Sequence, residues 1–401
     1  MNKADTNWLL VSSALVLLMT PGLALFYGGM ARRRNIINTL MMSLICMGLI
    51  TVEWVVLGFS MSFGSGISGF IGGLQHIFLK GVGVEPLKDY ATTVPGYAFV
   101  LFQMMFAIIT PALISGAVVE RMKFSAYVLF ITLWALLVYN PVCHWVWAKD
   151  GWLMKLGALD FAGGTVVHIN AGISALVAAV MLGRRRSFLK ESILPHNIPL
   201  TVIGTGLLWF GWFGFNAGSA LEAGKLATLA FMNTHVAAAA AAFAWSVMEY
   251  MRFGKPSAIG FCSGAVAGLV AITPAAGFVG VGSALIIGIV AGVLCSYTVE
   301  LKFRFRYDDS LDVFGVHGIG GLWGAVATGI FASVGAKGLI FGGFAQFGKQ
   351  ILASVATIAY SAVLTAVIVK LVDVLVGIRA TAEEEEMGLD VSLHGEEAYR
   401  S

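Results

Sequence analysis

The chain has 401 residues, of which 58% are hydrophobic and 12% are charged, and its mean hydropathy is +0.85. Such values lie far outside those of soluble globular domains and indicate an integral membrane protein. The formal net charge of +3 is too small to suggest nucleic-acid binding. The 49 glycines fit close packing of helices, whereas a transmembrane barrel would show strands of about ten residues with alternating polarity. The composition therefore predicts an all-α protein that crosses the membrane several times.

Apolar stretches of about 20 residues, each long enough to cross a bilayer as a helix, recur along the chain. The first is interpreted as a membrane span and not as a cleaved signal, because its apolar run is long and is followed by ARRRN. The predicted spans are 8–30, 36–62, 96–117, 124–146, 161–183, 198–217, 227–251, 257–275, 279–300, 312–332 and 350–377. The sequence thus predicts about eleven transmembrane helices, with ten or twelve as alternatives because of the glycine-rich stretch 274–282.

Lysines and arginines are distributed unequally between the loops. One set of alternate loops carries 15 of them and the opposite set carries 8. The positive-inside rule places the richer set in the cytoplasm, so we expect the N-terminus outside and the C-terminus inside the cell. The predicted division is a transmembrane domain at 1–379 and a cytoplasmic tail at 380–401.

Two predicted spans contain a histidine that follows an aspartate. Span five carries Asp160 and His168, and span ten carries Asp312 and His317. Ionisable groups inside a membrane are costly and are usually functional. Five spans separate the two positions, which indicates a five-plus-five inverted repeat followed by one last helix, with a site between the halves.

Small residues surround both histidines. Gly164, His168 and Gly172 recur every four residues, and Gly320, Gly321 and Gly324 follow His317. Each imidazole therefore lies on a helix face with room for another backbone or for a lumen. Each histidine could simply bond a neighbouring helix, but two equivalent positions favour a paired site. Such a pair suits haem ligation, proton relay or the lining of a path for a small molecule. These spans contain no arginine or lysine to bind haem propionates, so we favour the small-molecule path and expect no cofactor.

Other polar residues receive structural interpretations. Asp160 and Asp312 are predicted to cap the starts of their helices. The four cysteines have no metal-binding spacing, so we expect them to pack in the interior and predict no metal site. Solvated or interfacial positions are expected for His76, His144, His196 and His394, whereas His235 could be a packing residue or a functional one.

Long sequence blocks resemble a known transporter family. DFAGGTVVHINAGISALVAA, GWFGFNAGSA and DVFGVHGIGGLWG are similar to the Amt/Mep/Rh superfamily of ammonium transporters, of the bacterial and archaeal Amt type, and the resemblance covers essentially the whole chain. It implies an eleven-helix inverted-repeat fold and a homotrimer with one pore per subunit. It also implies passage of ammonium from outside to inside across the cytoplasmic (inner) membrane, with lipids as the surroundings.

The family motifs assign roles to individual residues of this chain. Phe102 and Phe106 match two stacked phenylalanines of the gate, and Phe215 matches a ring at its inner side. Trp147 and Ser219 match the tryptophan and serine of the outer recruitment site, to which Phe106 also contributes. Without the motifs, core packing would be the preferred interpretation of each aromatic residue.

The physical chemistry of ammonium fits these assignments. Aromatic faces attract a small cation by about 0.5 to 2 kcal/mol each, and the hydroxyl of Ser219 can accept an N–H bond. A bare cation is costly in an apolar lumen, but neutral ammonia avoids most of that cost. The resemblance accordingly implies deprotonation near the outer end, passage of ammonia along His168 and His317, and a separate proton movement with net charge transfer. It gives Asp160 a role in shaping the recruitment region.

The C-terminal segment TAEEEEMGLDVSLHGEEAYRS is acidic and poor in apolar residues, which favours a solvated terminus. Its GLDVSLHGEEAY resembles the segment that packs beneath the trimer in the family and takes part in closure by PII signalling proteins, so a PII partner is implied. Two alternatives stay open: a passive Rh-type ammonia channel and an ammonium sensor. A sensor would normally carry an appended signalling domain.

Overall fold

The computed structural model describes residues 1–191 and 193–399, and it is almost entirely helical. Within that part of the chain, ten helices are long and apolar enough to cross a membrane, and a shorter apolar helix lies among them. The spans are α1 Lys3–Met30, α2 Arg33–Phe63, α3 Gly96–Val118, α4 Phe124–Leu156, α5 Gly164–Leu182, α6 Ile198–Gly218, α7 Lys225–Phe253, α8 Ala258–Ile272, α9 Val281–Phe305, α10 Phe314–Phe331 and α11 Phe344–Val376. The predicted eleven-helix membrane fold is confirmed. The continuous helix of α4 ends at Trp147, one residue beyond the predicted 146, and the short helix Trp152–Leu156 follows after a turn.

Four of the spans contain a segment of π-helix, in which the helix is locally wider. These segments are Trp54–Gly58 in α2, Ala135–Tyr139 in α4, Gly164–Ile169 at the start of α5 and Phe314–Gly318 at the start of α10. π-Segments interrupt the regular ladder and frequently occur at functional sites. They therefore direct attention to two places: the contact between α5 and α10, and the contact between α2 and α4.

Corresponding helices of the two halves pack against each other. The first helices, α1 and α6, pack closely enough that a Cβ at Gly22 would lie 2.9 Å from the Cβ of Leu207. The fifth helices, α5 and α10, cross where Gly172 meets the backbone of Gly318. Close helix approach in membranes requires such small residues because lipid supplies no hydrophobic drive for packing. The pairing of first with sixth and fifth with tenth helices agrees with the predicted inverted repeat.

The basic loops meet at one end of the bundle, which we call the inner end. Arg32 pairs with Glu120 at 2.8 Å, Arg185 pairs with the same carboxylate at 3.1 Å, and Arg185 also binds Asp308 at 2.8 Å. Burial opposes ionisation of Glu120, but the two arginines dominate and lower its pKa. Charges from separate inter-helix loops thus neutralise one another, as expected for loops on a single side of the membrane.

The acidic tail is docked on the inner end and is not a freely solvated terminus. It forms a short helix, α12 Ala382–Met387, which begins with a capping box between Thr381 and Glu384. Further along, Asp390 accepts a bond from the backbone N–H of Asn38 at 2.8 Å, and His394 bonds the Asn38 side chain at 3.0 Å. The expectation from composition was wrong because polar groups at the start of α2 supply partners that a local pattern does not reveal.

The outer end carries the few strand residues. A short ladder pairs β1 Gly66–Ile67 with β2 Ile71–Gly72 in antiparallel fashion. Turns at Ile77–Leu79 and Leu339–Phe341 complete the outer loops.

Candidate functional site

An outer cavity of about 420 Å³ brings the predicted recruitment residues together. Phe106, Trp147, Asp160 and Ser219 all line it. The rings of Phe106 and Trp147 lie 5.6 Å apart at 85°, and the indole N–H of Trp147 donates to the carbonyl of Asp160 at 3.0 Å. The indole is thus fixed by a backbone bond while its ring borders the cavity.

Ser219 is oriented by its own helix. Its hydroxyl donates to the carbonyl of Phe215 at 2.8 Å, so both lone pairs of its oxygen can accept bonds from a molecule in the cavity. The sequence interpretation missed Gln103, which also lines the cavity. Its buried Oε1 lacks a hydrogen-bond partner among the described residues. The available signal was its position, one turn before Phe106 on α3.

Asp160 caps the start of α5, as predicted. Its two carboxylate oxygens accept four backbone N–H bonds, at 2.7 Å from Gly163, 2.6 Å from Gly164, 2.7 Å from Thr165 and 3.1 Å from Val166. Burial raises the pKa of Asp160 and the four bonds lower it, with burial the larger influence. Since both oxygens are already bonded, the carboxylate influences the cavity indirectly, by fixing the position of the start of α5.

The three rings predicted to form a gate, those of Phe102, Phe106 and Phe215, meet in two contacts. The shortest ring contact is between Phe106 and Phe215, with centroids 4.4 Å apart, below the outer cavity. Phe102 meets Phe106 at 5.0 Å and 69°, which is an edge contact and not a stack. Phe102 is fully buried and is not among the residues that line the outer cavity. Phe102 therefore packs against Phe106 outside the cavity, because it lies one turn away on the same helix.

The two histidines meet directly. The Nδ1 atoms of His168 and His317 are 3.2 Å apart, and the rings lie side by side with centroids separated by 5.3 Å. They are hydrogen-bonded neighbours, so the structure brings together the pair that the sequence indicated. A Cβ at Gly321 would lie 2.8 Å from the Cβ of His168, so glycine permits this approach.

This bond links the tautomers of the two imidazole rings. A bond between two ring nitrogens needs one N–H and one lone pair, so two neutral rings must adopt opposite tautomers. Whichever ring donates, one Nε2 then carries a proton and the other offers a lone pair. The Nε2 of His168 has no partner in residues 1–191 and 193–399. The pair can therefore present one donor and one acceptor to a molecule beside it.

The space beside the two rings is narrow and apolar. It measures about 10 Å³, close to the size needed for a single water molecule. Apart from the two histidines, its lining consists of Met19, Leu23, Ile109, Leu113, Val167, Leu208, Trp212, Phe215 and Val266. A small neutral molecule fits such a passage, whereas a hydrated cation does not.

The aspartate that caps α10 is Asp309 and not Asp312. Asp309 accepts the backbone N–H groups of Val313 at 3.1 Å and Phe314 at 2.7 Å. Asp312 has φ +64° and pairs instead with Lys302, its Oδ1 lying 2.6 Å from Nζ. The prediction was wrong because it assigned the helix cap to the aspartate nearest the apolar run.

The remaining histidines lie outside this site. His144 is fully buried, with Nδ1 3.0 Å from the carbonyl of Ser62, so a solvated position was the wrong expectation. His235 is exposed and packs on Trp209 with centroids 5.5 Å apart. The four cysteines are buried and unpaired, which confirms their predicted packing role.

Comparison with known proteins identifies the family. A model described as Ammonium Transporter Family matches residues 7–399. The chain belongs to the ammonium transporter family. An ammonium transporter of Bacillus subtilis is 50% identical over 406 residues, covering 100% of this chain and 99% of that protein. The ammonium transporter Amt1 of Archaeoglobus fulgidus is 47% identical and covers 100% of both chains.

A solved structure supports the same assignment. Mep2 of Saccharomyces cerevisiae matches with a TM-score of 0.90 at 36% identity, covering 96% of this chain and 88% of that chain. The protein is thus an ammonium transporter that crosses the membrane many times, and it is not an enzyme. The outer cavity, the phenylalanine pair and the two histidines are its candidate path.

Proposed function

We propose that this ammonium transporter recruits NH4+ in the outer cavity, releases one proton there and conducts NH3 past the two histidines, with net charge transfer. The observation that carries the proposal is the Nδ1 to Nδ1 bond of His168 and His317 inside an apolar passage. Because that bond leaves one donor and one acceptor at the two Nε2 atoms, the passage suits a neutral molecule that both donates and accepts.

Recruitment rests on the aromatic rings and the serine of the outer cavity. Phe106 and Trp147 border one cavity at 5.6 Å, and each desolvated ring contributes up to about 2 kcal/mol of cation attraction. Ser219 accepts one N–H bond of the ion. A passive channel for neutral ammonia would gain nothing from cation-attracting rings, so this cavity favours charged recruitment over the Rh-type alternative.

Deprotonation follows from the narrowing beyond the cavity. The rings of Phe106 and Phe215 close the way at 4.4 Å, and the passage behind them is almost entirely apolar. Moving a bare cation into such surroundings costs several kcal/mol even after relaxation, on the order of a thousandfold or more in population. Loss of a proton before this point removes most of that cost, and the proton crosses by a separate route.

The test is the ammonium-dependent current of proteoliposomes on a solid-supported membrane. We expect an inward current in the unaltered protein, and loss of that current or of its selectivity over potassium in the double variant His168→Ala, His317→Ala. His235→Ala removes an exposed histidine outside the path and is the matched control. A double variant with unaltered current and selectivity would exclude the two-histidine path, and ammonia flux without current would favour the passive channel.

We also propose that the protein acts as a homotrimer in the cytoplasmic (inner) membrane and that residues 380–401 are a regulatory tail that binds a PII protein. Exposed aromatic residues on α6 and α7, including Phe210 and Phe231, support a subunit or lipid contact there. The docked tail offers a surface at the inner end. Native mass spectrometry tests the trimer, and a binding assay with the PII protein of the same organism, across its effectors, tests the partner.

A further inference from the structure

A second ionisable group is buried in the membrane, away from the histidines. Glu53 lies in α2 with only 9% of its surface exposed. The side-chain amide of Asn140 donates to its Oε1 at 2.7 Å. Its Oε2 is buried and has no hydrogen-bond partner in the part of the chain that the structure describes. The ammonium path uses neither residue.

The residues around Glu53 leave space for its carboxyl group. A Cβ at Gly58 would lie 2.6 Å from Oε2, so glycine leaves the space that the carboxyl occupies. Glu53 directly precedes the π-segment Trp54–Gly58, and Asn140 directly follows the π-segment Ala135–Tyr139. The other two π-segments of the spans carry His168 and His317. The glutamate and asparagine thus flank their π-segments, whereas the two histidines lie inside theirs.

Polar groups connect this place to the outer end. The hydroxyl of Ser62 donates to Oδ1 of Asn140 at 3.2 Å, and the carbonyl of Ser62 accepts from Nδ1 of His144 at 3.0 Å. The Nε2 of His144 lies 3.6 Å from Asp150, whose side chain is 33% exposed. Toward the inner end, the next buried residues on the same helix are Ile50 and Cys46, and the buried Ser43 follows further away. The hydrogen-bonding groups next to Glu53 therefore lie on its outer side.

The ligand that suits this site is a proton. An isolated carboxylate charge in an apolar region is very costly, and no cationic side chain pairs with Glu53 among the described residues. The titratable group that interacts with Glu53 is Tyr139 on α4, which carries no positive charge. A metal ion would need several oxygen ligands, whereas Asn140 presents its N–H group and leaves one free carboxylate oxygen.

We propose that Glu53 is a proton-binding site in the outer half of the membrane, separate from the ammonium path. The bound proton keeps the contact between α2 and α4 neutral. The proposal goes beyond the transport function and can fail without affecting it, because its test reads the carboxyl group itself and not the ammonium current.

The test is infrared difference spectroscopy of the full-length protein in lipid while the bath pH is raised. We expect the carbonyl band of a protonated carboxylic acid that disappears at alkaline pH and shifts in deuterated water. Glu53→Gln should remove this band, and Glu85→Gln, at an exposed glutamate of the outer loop, should retain it. An undiminished band in Glu53→Gln, or no such band in the unaltered protein, would overturn the proposal.

A further variant tests the environment of the carboxyl group. In Asn140→Leu the carboxyl group loses its donor, so the same band should move to higher frequency; this reading stands even if Glu53→Gln fails to fold. An unshifted band in Asn140→Leu would overturn the assignment of the band to Glu53.

Discussion

The two histidine segments are built alike but stand in different surroundings. In each segment an aspartate caps the start of the helix and the histidine follows eight residues later. Asp160 precedes His168 by this spacing, and Asp309 precedes His317 by the same spacing. The outer aspartate accepts four backbone N–H bonds, whereas the inner one accepts two.

The surroundings explain this difference. Asp160 stands in a pocket of backbone donors beside the outer cavity, and its carboxylate is bonded by the helix alone. Asp309 stands among charged groups, with Asp312 and Lys302 close enough to influence its ionisation. The duplicated fold therefore supplies the cap twice, but the outer copy depends on backbone bonds and the inner copy on a network of charges.

The largest effect is expected for Asp160→Asn. One amide nitrogen would replace an oxygen that accepts two N–H groups, and each buried donor left without an acceptor costs about 1 to 3 kcal/mol. We expect a large fall in thermal stability, measured in detergent or lipid, together with loss of the ammonium current. A variant with unaltered stability would show that the four bonds do not hold the start of α5.

A smaller effect is expected at the crossing of the two segments. A Cβ at Gly172 would collide with the backbone of Gly318, which cannot rotate away, and overpacking of this kind costs about 1 to 3 kcal/mol. Gly172→Ala should lower the unfolding temperature and weaken transport. Gly206→Ala is the matched control, since nothing lies within 4 Å of a Cβ there. Equal stability of the two variants would contradict the close crossing.

The smallest effect is expected for Asp309→Asn. This change leaves one backbone donor without an acceptor, which lowers the free energy of unfolding by about 1 to 3 kcal/mol. Burial and the neighbouring Asp312 raise the pKa of Asp309 from its ordinary value to about 6. The folded protein therefore binds this proton more tightly than the unfolded chain, and its contribution to stability falls as the pH rises from about 4 to about 6.

Unfolding temperatures of the unaltered protein and of Asp309→Asn across this pH range check the assignment. The difference between them should change within the window and stay constant above it. A difference that does not vary with pH would mean that Asp309 keeps an ordinary pKa in the folded protein.

Much of the path was predictable from the sequence because it depends on residues within one helix. His168 and His317 stand out as ionisable residues in apolar spans, and Asp160 stands directly before a helix start. The capping role of Asp309 could also have been predicted, since its spacing to His317 repeats that of Asp160 to His168. The prediction failed there because it used proximity to the apolar run in place of the internal repeat.

Other features depended on partners distant in sequence. Phe102 and Phe106 share one helix, but the ring that closes on Phe106 belongs to Phe215 on another helix. His144 lies near a predicted span end, yet its partner is Ser62 on α2. Glu53 finds its donor on Asn140 of α4, and no local pattern marks such a pair.

By itself the sequence determined the membrane class, the eleven spans, their orientation by charge and the two histidines of the proposed path, because hydropathy and helical spacing act over a few turns. The tertiary structure alone decided that the histidines bond each other, that Phe106 meets Phe215 and that the tail docks on α2. Those contacts are fixed by how closely glycine-bearing helices can approach, which depends on both partners at once.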